Sequence, residues 1–157
     1  MARRPQVPPR LGRVFAHSPL YFVTFCTYRR RPVLATDEVH VAFLKFCEHG
    51  RDADADNLAV GRYVIMPDHM HLFVRGGQEF VLGRWVGLLK QCVAKAVVSA
   101  DRAGTLWQRG FFDHVLRSDE SYGQKWNYVR ENPVRAGLVQ HADAWPYAGE
   151  IVVIDRA

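Results

Sequence analysis

Two histidines separated by one residue, His69 and His71, are the side chains best placed to do chemistry in this sequence. They follow an apolar segment and a Pro67-Asp68 turn, a pattern typical of two strands joined as a hairpin. Because side chains alternate along a strand, the two imidazoles would project from one face and Met70 from the other. Two neutral nitrogen ligands on a rigid strand can hold a divalent metal ion, although a strand can also carry two histidines without a catalytic role.

A tyrosine and two carboxamides occur at helical spacing later in the chain. Gln124, Tyr128 and Asn132 are each four residues apart, so on a continuous helix they would share one face. A phenol oxygen beside a carboxamide oxygen could supply a nucleophile and a further neutral ligand for a metal-assisted phosphodiester transfer. The alternative is a helix aromatic packed in the core with its hydroxyl at the edge.

Three other polar residues are weaker candidates for the same site. His114 lies in an apolar segment that we interpret as a strand, where single histidines are usually packed or hydrogen-bonded. Asp113 and Asp68 are alternatives for a metal ligand.

Length and composition restrict the class of protein. The chain has 157 residues, enough for one domain with its own core. Cys26, Cys47 and Cys92 are far apart and form no CxxC pair, so we expect no disulfide framework and a reducing, cytoplasmic location. No apolar segment approaches the roughly 20 residues that span a bilayer, and prolines and arginines follow the basic start where a signal peptide would be apolar.

Positive charge is concentrated at the beginning of the chain. Residues 1–31 contain seven arginines and no acid, whereas the remainder has fourteen Lys and Arg against sixteen Asp and Glu. This asymmetry favours a polyanion as partner, with a solubilising tail as the alternative. The candidate phosphate contacts are Arg29, Arg30, Arg31, Arg117, Arg130 and Arg135. Trp107 could stack on an unpaired base or pack in the core.

The apolar periodicity predicts an α+β domain. Strands are expected at 21–28, 58–66, 69–74 and 111–116, and helices at 36–50, 80–100 and from Ser118 to Glu131 or Asn132, before Pro133. This order matches a ferredoxin-like antiparallel sheet, as in RNA-binding modules, with an additional C-terminal helix that carries Tyr128. We expect a basic Pro/Arg-rich arm at 1–19, the domain at 20–147 and a tail at 148–157.

Three motifs, in order, resemble a known family over roughly residues 20–147. They read Met-Pro-Asp-His-Met-His-Leu, Trp-Gln-Arg-Gly-Phe-Phe-Asp-His and Tyr-Val-Arg-Glu-Asn-Pro-Val-Arg-Ala-Gly-Leu-Val. The chain is similar to the single-tyrosine HUH transposases, specifically the REP-associated tyrosine transposases. That resemblance implies a ferredoxin-like domain that binds single-stranded DNA, often at a hairpin. It also implies a tyrosine that attacks a phosphodiester, leaving a 5′-phosphotyrosine and a free 3′-hydroxyl.

The same resemblance implies roles for individual residues. His69 and His71 would be the metal ligands, Tyr128 the nucleophile, and Asn132 the third ligand, where related enzymes have glutamine or another polar residue. Two imidazoles and an amide would also accept zinc or copper, but phosphoryl transfer favours Mg²⁺ or Mn²⁺ as cofactor. Single-stranded or hairpin DNA is the implied partner, and both a homodimer and a monomer are consistent with the family. Two alternatives are a catalytically inactive single-strand-binding regulator and a hydrolytic phosphoesterase.

Overall fold

Five strands and four helices make up the part of the chain that the structure, a computed structural model, describes: residues 19–53, 58–77, 79–97, 105–116 and 121–154. The strands are β1 Leu20–Cys26, β2 Leu58–Ile65, β3 His69–Gly76, β4 Phe112–Leu116 and β5 Ala148–Glu150. The helices are α1 Asp37–Ala53, α2 Leu82–Ala96, α3 Tyr122–Arg130 and α4 Asn132–Arg135, with 3₁₀ turns at Tyr28–Arg30 and Ala142–Ala144. Residues 1–18 of the expected basic arm lie outside the described ranges.

The strands form one antiparallel sheet in the order β4-β1-β3-β2-β5. The first four strands have the ferredoxin-like arrangement, which confirms the predicted fold class. Strand β1 lies between β3 and β4, as its continuous apolar sequence predicts for a central strand. The fifth strand comes from residues 148–150, which the sequence assigned to a tail, and it pairs with β2.

One face of the sheet is covered by α1 and α2. Alternate residues of β1 and β3 point into this layer and are buried there, with Val23, Phe25, Met70 and Leu72 in the centre. Helix α1 begins as predicted, because the Thr36 hydroxyl accepts a hydrogen bond from the backbone N–H of Val39.

The opposite face of the sheet carries the C-terminal part of the chain. Its apolar contacts join Phe22 and Phe73 on the sheet to Tyr122 and Trp126 on α3. Ile154, beyond β5, is also buried in this layer. The two faces therefore differ: one packs against two long helices, and the other against a short helix that leaves part of the sheet accessible.

Within the described ranges, the structure contains no helix that combines the length and apolar character needed to cross a membrane.

Substitutions at Met70 test which face of β3 is buried. Met70 lies between the two histidines in sequence but is fully buried in the α1–α2 layer, so Met70→Ala should lower the free energy of unfolding by about 2–5 kcal/mol, through lost contacts and the resulting cavity. Met70→Leu, which nearly conserves volume, should cost less than about 1.5 kcal/mol. Urea unfolding followed by circular dichroism measures both, and an equally small effect of the two substitutions would contradict this orientation.

Candidate functional site

His69 and His71 lie side by side on the sheet face that α3 covers. Their ring centroids are 4.7 Å apart with the planes at 81°. Met70 points away from them and is completely buried in the α1–α2 layer. The predicted alternation is therefore confirmed, and the two imidazoles are neighbours on one surface.

Each histidine is held through its Nδ1 atom. His71 Nδ1 is 2.7 Å from the hydroxyl of Thr24, its cross-strand partner on β1, and His69 Nδ1 is 2.7 Å from Asp68 Oδ1. When Nδ1 carries the proton, the Thr24 oxygen and the Asp68 carboxylate accept it, and both Nε2 lone pairs are left for a metal ion. A histidine oriented through its second nitrogen is the usual arrangement at metal sites.

The Asp68 carboxylate is fixed in turn by Arg30. Arg30 Nε lies 2.9 Å from Asp68 Oδ2, and Arg30 Nη1 donates to Cys26 Sγ at 2.7 Å. Arg29 and Arg30 have φ angles of 57° and 56°, a left-handed conformation that is uncommon for residues other than glycine. The turn after β1 thus adopts a costly backbone conformation that brings Arg30 onto the hairpin of the histidines.

The surroundings of His71 keep its imidazole neutral. Burial is the largest of the causes that lower its pKa from 6.5 to about 3. The others are electrostatic interactions with His69 and with the cations Lys125, Arg30 and Arg135. A neutral imidazole is the form that binds metal, and the converging cations give this surface a positive potential suited to phosphate.

Helix α3 is short and is held against the sheet by one face. Its apolar contacts come from Tyr122, Trp126 and Val129. It begins at Tyr122, with the Ser121 hydroxyl accepting a hydrogen bond from Gln124 N at 3.1 Å. The sequence predicted Ser118 as the cap; Ser118 lies outside the described residues, and the helix starts after Ser121 instead.

Lys125 connects α3 to the histidines. Its ammonium lies 5.0 Å from the centroid of the Phe22 ring, and that ring stacks on His71 with a centroid separation of 5.3 Å. Tyr128 is three residues further along α3, on the same side of the helix as Lys125. It is 67% exposed, so its phenol is not the buried core aromatic of the alternative interpretation.

Arg135 fixes Tyr128 and Asn132 together. Its guanidinium carbon lies 4.2 Å from the Tyr128 ring centroid, and its Nη2 donates to the Tyr128 carbonyl and to Asn132 Oδ1, both at 2.7 Å. Helix α3 ends at Arg130, and Asn132 is the first residue of α4. The face predicted to be shared by Gln124, Tyr128 and Asn132 is therefore not one continuous helical face, because Pro133 interrupts the helix.

The donor set fits a divalent ion in part. Two imidazoles offer their Nε2 atoms, and within the described ranges no group of three or more His, Cys, Asp or Glu side chains gathers around an ion. The Asn132 oxygen is already bonded to a cationic guanidinium; its second lone pair is the remaining donor. The two imidazole nitrogens are therefore a partial ligand set for a divalent ion.

The other candidate residues have different environments. Arg29 is exposed with its guanidinium 5.3 Å from the Tyr28 ring centroid, and Arg31 comes directly after the Tyr28–Arg30 turn. Arg130 is paired with Asp143, and Arg117 lies outside the described residues.

Trp107 is a core residue. It is buried against Phe25, and its indole N–H donates to the Lys90 carbonyl at 2.8 Å. The indole is therefore largely packed, which corresponds to the core alternative. His114 is exposed on β4, opposite Phe22, and the adjacent Asp113 is exposed as well.

Sequence reasoning missed Thr24 and Lys125. Thr24 is a polar residue in an otherwise apolar central strand, a signal that could have suggested a partner on the neighbouring strand. Lys125 carries no such signal, because its relation to His71 depends on how α3 crosses the sheet.

Comparison with known proteins gives a consistent family relationship. Residues 16–132 match the family described as IS200-like transposases. An Escherichia coli K12 protein named REP-associated tyrosine transposase is 25% identical over 138 residues, covering 87% of this chain and 79% of its own length. A Haemophilus influenzae protein is 26% identical over 152 residues, with 87% and 82% covered. The fold is similar to that of a REP-associated tyrosine transposase bound to a REP hairpin, with a TM-score of 0.64, 19% identity, and 99% of this chain and 96% of the other covered.

Substitution of Ser121 tests whether the N-cap stabilises α3, the helix that carries Tyr128. Ser121→Ala should lower the free energy of unfolding by about 1 kcal/mol, because the N–H of Gln124 loses its acceptor. Ser121→Asp keeps an acceptor and should remain within a few tenths of 1 kcal/mol of the wild type. Thermal and urea unfolding measure both variants, and equal stability of all three proteins would show that the cap does not hold α3.

Proposed function

This chain belongs to the IS200-like transposase family, and from that premise we propose that it is a metal-dependent single-stranded DNA endonuclease and strand transferase with Tyr128 as nucleophile. The observation that carries the proposal is the position of Tyr128 between Lys125 and Arg135. The Arg135 guanidinium carbon lies 4.2 Å from the Tyr128 ring centroid, and the Lys125 ammonium lies 5.0 Å from the centroid of the Phe22 ring, which stacks on His71. An exposed phenol thus lies beside the positively charged surface that contains the histidine pair.

Single-stranded DNA next to a hairpin is the substrate we propose. The similar fold of a relative whose structure contains a REP hairpin supports this choice. On this chain, the exposed Arg29 at the end of β1 and the cations near the histidines would contact phosphates, which fix position without reading sequence. Arg30 would act differently, because its guanidinium is bonded to Asp68.

His69 and His71 would hold a divalent ion through Nε2, with Asn132 Oδ1 as the further protein donor. Mg²⁺ or Mn²⁺ is the choice that suits phosphoryl transfer. When bound, such an ion withdraws negative charge from the phosphate that is attacked. Thr24 and Asp68 would keep the two imidazoles in the required tautomer and orientation.

The chemical step is a transesterification. The Tyr128 oxygen attacks phosphorus, the phenolic proton passes to a base or solvent, and the bond from phosphorus to the 3′-oxygen breaks. That oxygen takes up a proton and leaves as a 3′-hydroxyl, while the 5′-phosphate stays on Tyr128. Because one phosphoester replaces another, a 3′-hydroxyl of a second strand can reverse the step and release the tyrosine.

Arg135 would position the nucleophile. Its guanidinium covers one face of the Tyr128 ring and donates to the Tyr128 backbone carbonyl and to the Asn132 side-chain oxygen, on the two sides of the α3–α4 break. This contact restricts the ring before substrate binds, which reduces the entropy lost on reaching a reactive geometry.

Tyr128→Phe tests the nucleophile. We expect the variant to bind an end-labelled hairpin oligonucleotide within about threefold of the wild type, because a single hydroxyl contributes modestly to binding. It should form no protein-linked DNA on a denaturing gel with Mn²⁺. Tyr28→Phe removes another exposed phenol and should form the adduct normally. An adduct formed by the Tyr128 variant would show that another residue attacks.

Removal of the metal ligands gives a separate prediction. His69→Gln and His71→Gln should each lower the rate of adduct formation at least about 100-fold, as loss of transition-state charge stabilisation does elsewhere, and EDTA should do the same to the wild type. His49→Gln, on α1 at the opposite face of the sheet, is the control and should react at the wild-type rate. Undiminished nicking in EDTA would contradict the metal-dependent mechanism, whereas hairpin binding without nicking in all proteins would indicate a regulator.

A further inference from the structure

Helix α3 contributes a lysine to the surface that carries the histidines. Lys125 is half-buried, and its ammonium lies 5.0 Å from the centroid of the Phe22 ring. Phe22 in turn stacks on His71 at a centroid separation of 5.3 Å. The lysine therefore approaches the histidine pair from the same helix that carries Tyr128, three residues further on.

The arginines around α3 are already bonded to acceptors. Their partners are carboxylates for Arg30, Arg62 and Arg130, and the Tyr128 carbonyl together with Asn132 Oδ1 for Arg135. A guanidinium bonded in this way has part of its donor set occupied, and three of these four also face a negative charge. Each of them is therefore committed, at least in part, to holding the protein together.

Lys125 differs from these arginines and from the other lysines. Within the described ranges, no carboxylate lies within ion-pair distance of its ammonium. Lys90, by comparison, donates to two backbone carbonyls, and Lys45 and Lys95 are exposed on α1 and α2. An aromatic ring attracts an ammonium without cancelling its charge. The contact with Phe22 thus holds the Lys125 ammonium in place and leaves its three N–H donors available to an anion.

Helical spacing places Lys125 and Tyr128 on one flank of α3. Residues three apart on a helix are neighbours, and the face that holds α3 against the sheet is formed by Tyr122 and Val129. A phosphodiester that reaches the exposed Tyr128 hydroxyl therefore comes next to the Lys125 side chain. The four-carbon stem of a lysine is flexible enough to bring its ammonium onto such a group.

The direction of attack limits the phosphate oxygens that Lys125 can reach. In an in-line displacement the leaving 3′-oxygen lies opposite the attacking oxygen, whereas Lys125 projects from the same flank as Tyr128. The non-bridging oxygens lie between these two positions and carry the negative charge that repels an attacking phenol oxygen. A cation bound to one of them lowers this repulsion.

We propose that Lys125 is a catalytic residue whose ammonium binds a non-bridging oxygen of the phosphodiester that Tyr128 attacks, an inference that rests on the proposed function. The bonds that form and break are those of the transesterification described above. Lys125 neither gains nor loses a proton in that step. Its positive charge stabilises the transition state, in which negative charge is spread over the non-bridging oxygens.

Single-turnover formation of protein-linked DNA with Mn²⁺ tests the inference, on a hairpin oligonucleotide that the wild type cleaves and at saturating protein concentration. Lys125→Gln should lower the rate about 100-fold, as removal of one donor to a developing negative charge does elsewhere. Lys125→Arg keeps the positive charge but cannot act as an acid, so it should stay within about tenfold of the wild type. Lys95→Gln removes an exposed cation from α2, on the opposite face of the sheet, and should react at the wild-type rate.

A further variant separates the charge of Lys125 from its packing. Lys125→Met keeps an apolar stem against Phe22 and lacks the ammonium. It should react as slowly as Lys125→Gln, and thermal unfolding should show the stability of the wild type. A wild-type rate for Lys125→Met would assign the lysine a packing role only and overturn the inference.

A 3′-bridging phosphorothiolate at the scissile linkage separates charge stabilisation from protonation of the leaving group. A thiolate leaves without taking up a proton, so a general acid is dispensable on this substrate. Lys125→Gln should remain about 100-fold slower than the wild type. Equal rates on the phosphorothiolate would make Lys125 a general acid instead.

The remaining outcomes distinguish this inference from the proposed function. A wild-type rate for Lys125→Gln, or a Lys125→Arg variant as slow as Lys125→Gln, would overturn the role of the lysine while the adduct on Tyr128 leaves the proposed function intact. Absence of any adduct from the wild-type protein would overturn both.

Discussion

The alternation of β3 between two packed layers is the constraint on which the site depends. Met70 and Leu72 fill the α1–α2 layer, and His69 and His71, which alternate with them along β3, are therefore turned to the opposite face. Pairing with β1 places Thr24 directly opposite His71 and Cys26 opposite His69. A shift of β3 by one residue would bury the imidazoles and expose the core side chains. The apolar contacts that stabilise the fold therefore also determine which face of the sheet carries the histidines.

Hydrogen bonds and an ion pair then orient the two histidines above this apolar layer. Thr24 and Asp68 each hold one Nδ1 atom, and Arg30 reaches Asp68 from a turn with two left-handed residues. Strained backbone is retained where the surrounding structure requires it, and such places are often functional. Here the strained turn places the Arg30 guanidinium against the Asp68 carboxylate, which is hydrogen-bonded to His69.

Helix α3 divides the accessible face of the sheet into two regions. Its buried side, with Tyr122 and Val129, keeps it in place, while one flank carries Tyr128 beside the cations near His71. The other flank carries Trp126 and Arg130 next to the C-terminal segment.

The sequence was sufficient for the order of the first four strands and the first three helices and for the histidine pair, because these follow from local periodicity. It could not give the relation of α3 to the sheet, which depends on contacts between distant residues such as Lys125 and Phe22. It also extended one helix to Glu131 or Asn132, whereas α3 ends at Arg130 and α4 begins at Asn132, next to Pro133. The role of residues 148–154 was missed for a similar reason, since β5 is too short to show a pattern and is defined by its pairing with β2.

The central claim is that DNA becomes linked to Tyr128, and mass spectrometry of the adduct tests it most directly. Trypsin should release the peptide Trp126–Arg130, in which Tyr128 is the one tyrosine. After nuclease trimming, our account predicts that this peptide carries one 5′-linked nucleotide, with fragment ions that place it on Tyr128. A nucleotide found on any other peptide, or DNA cleaved with no peptide modified, would contradict the account.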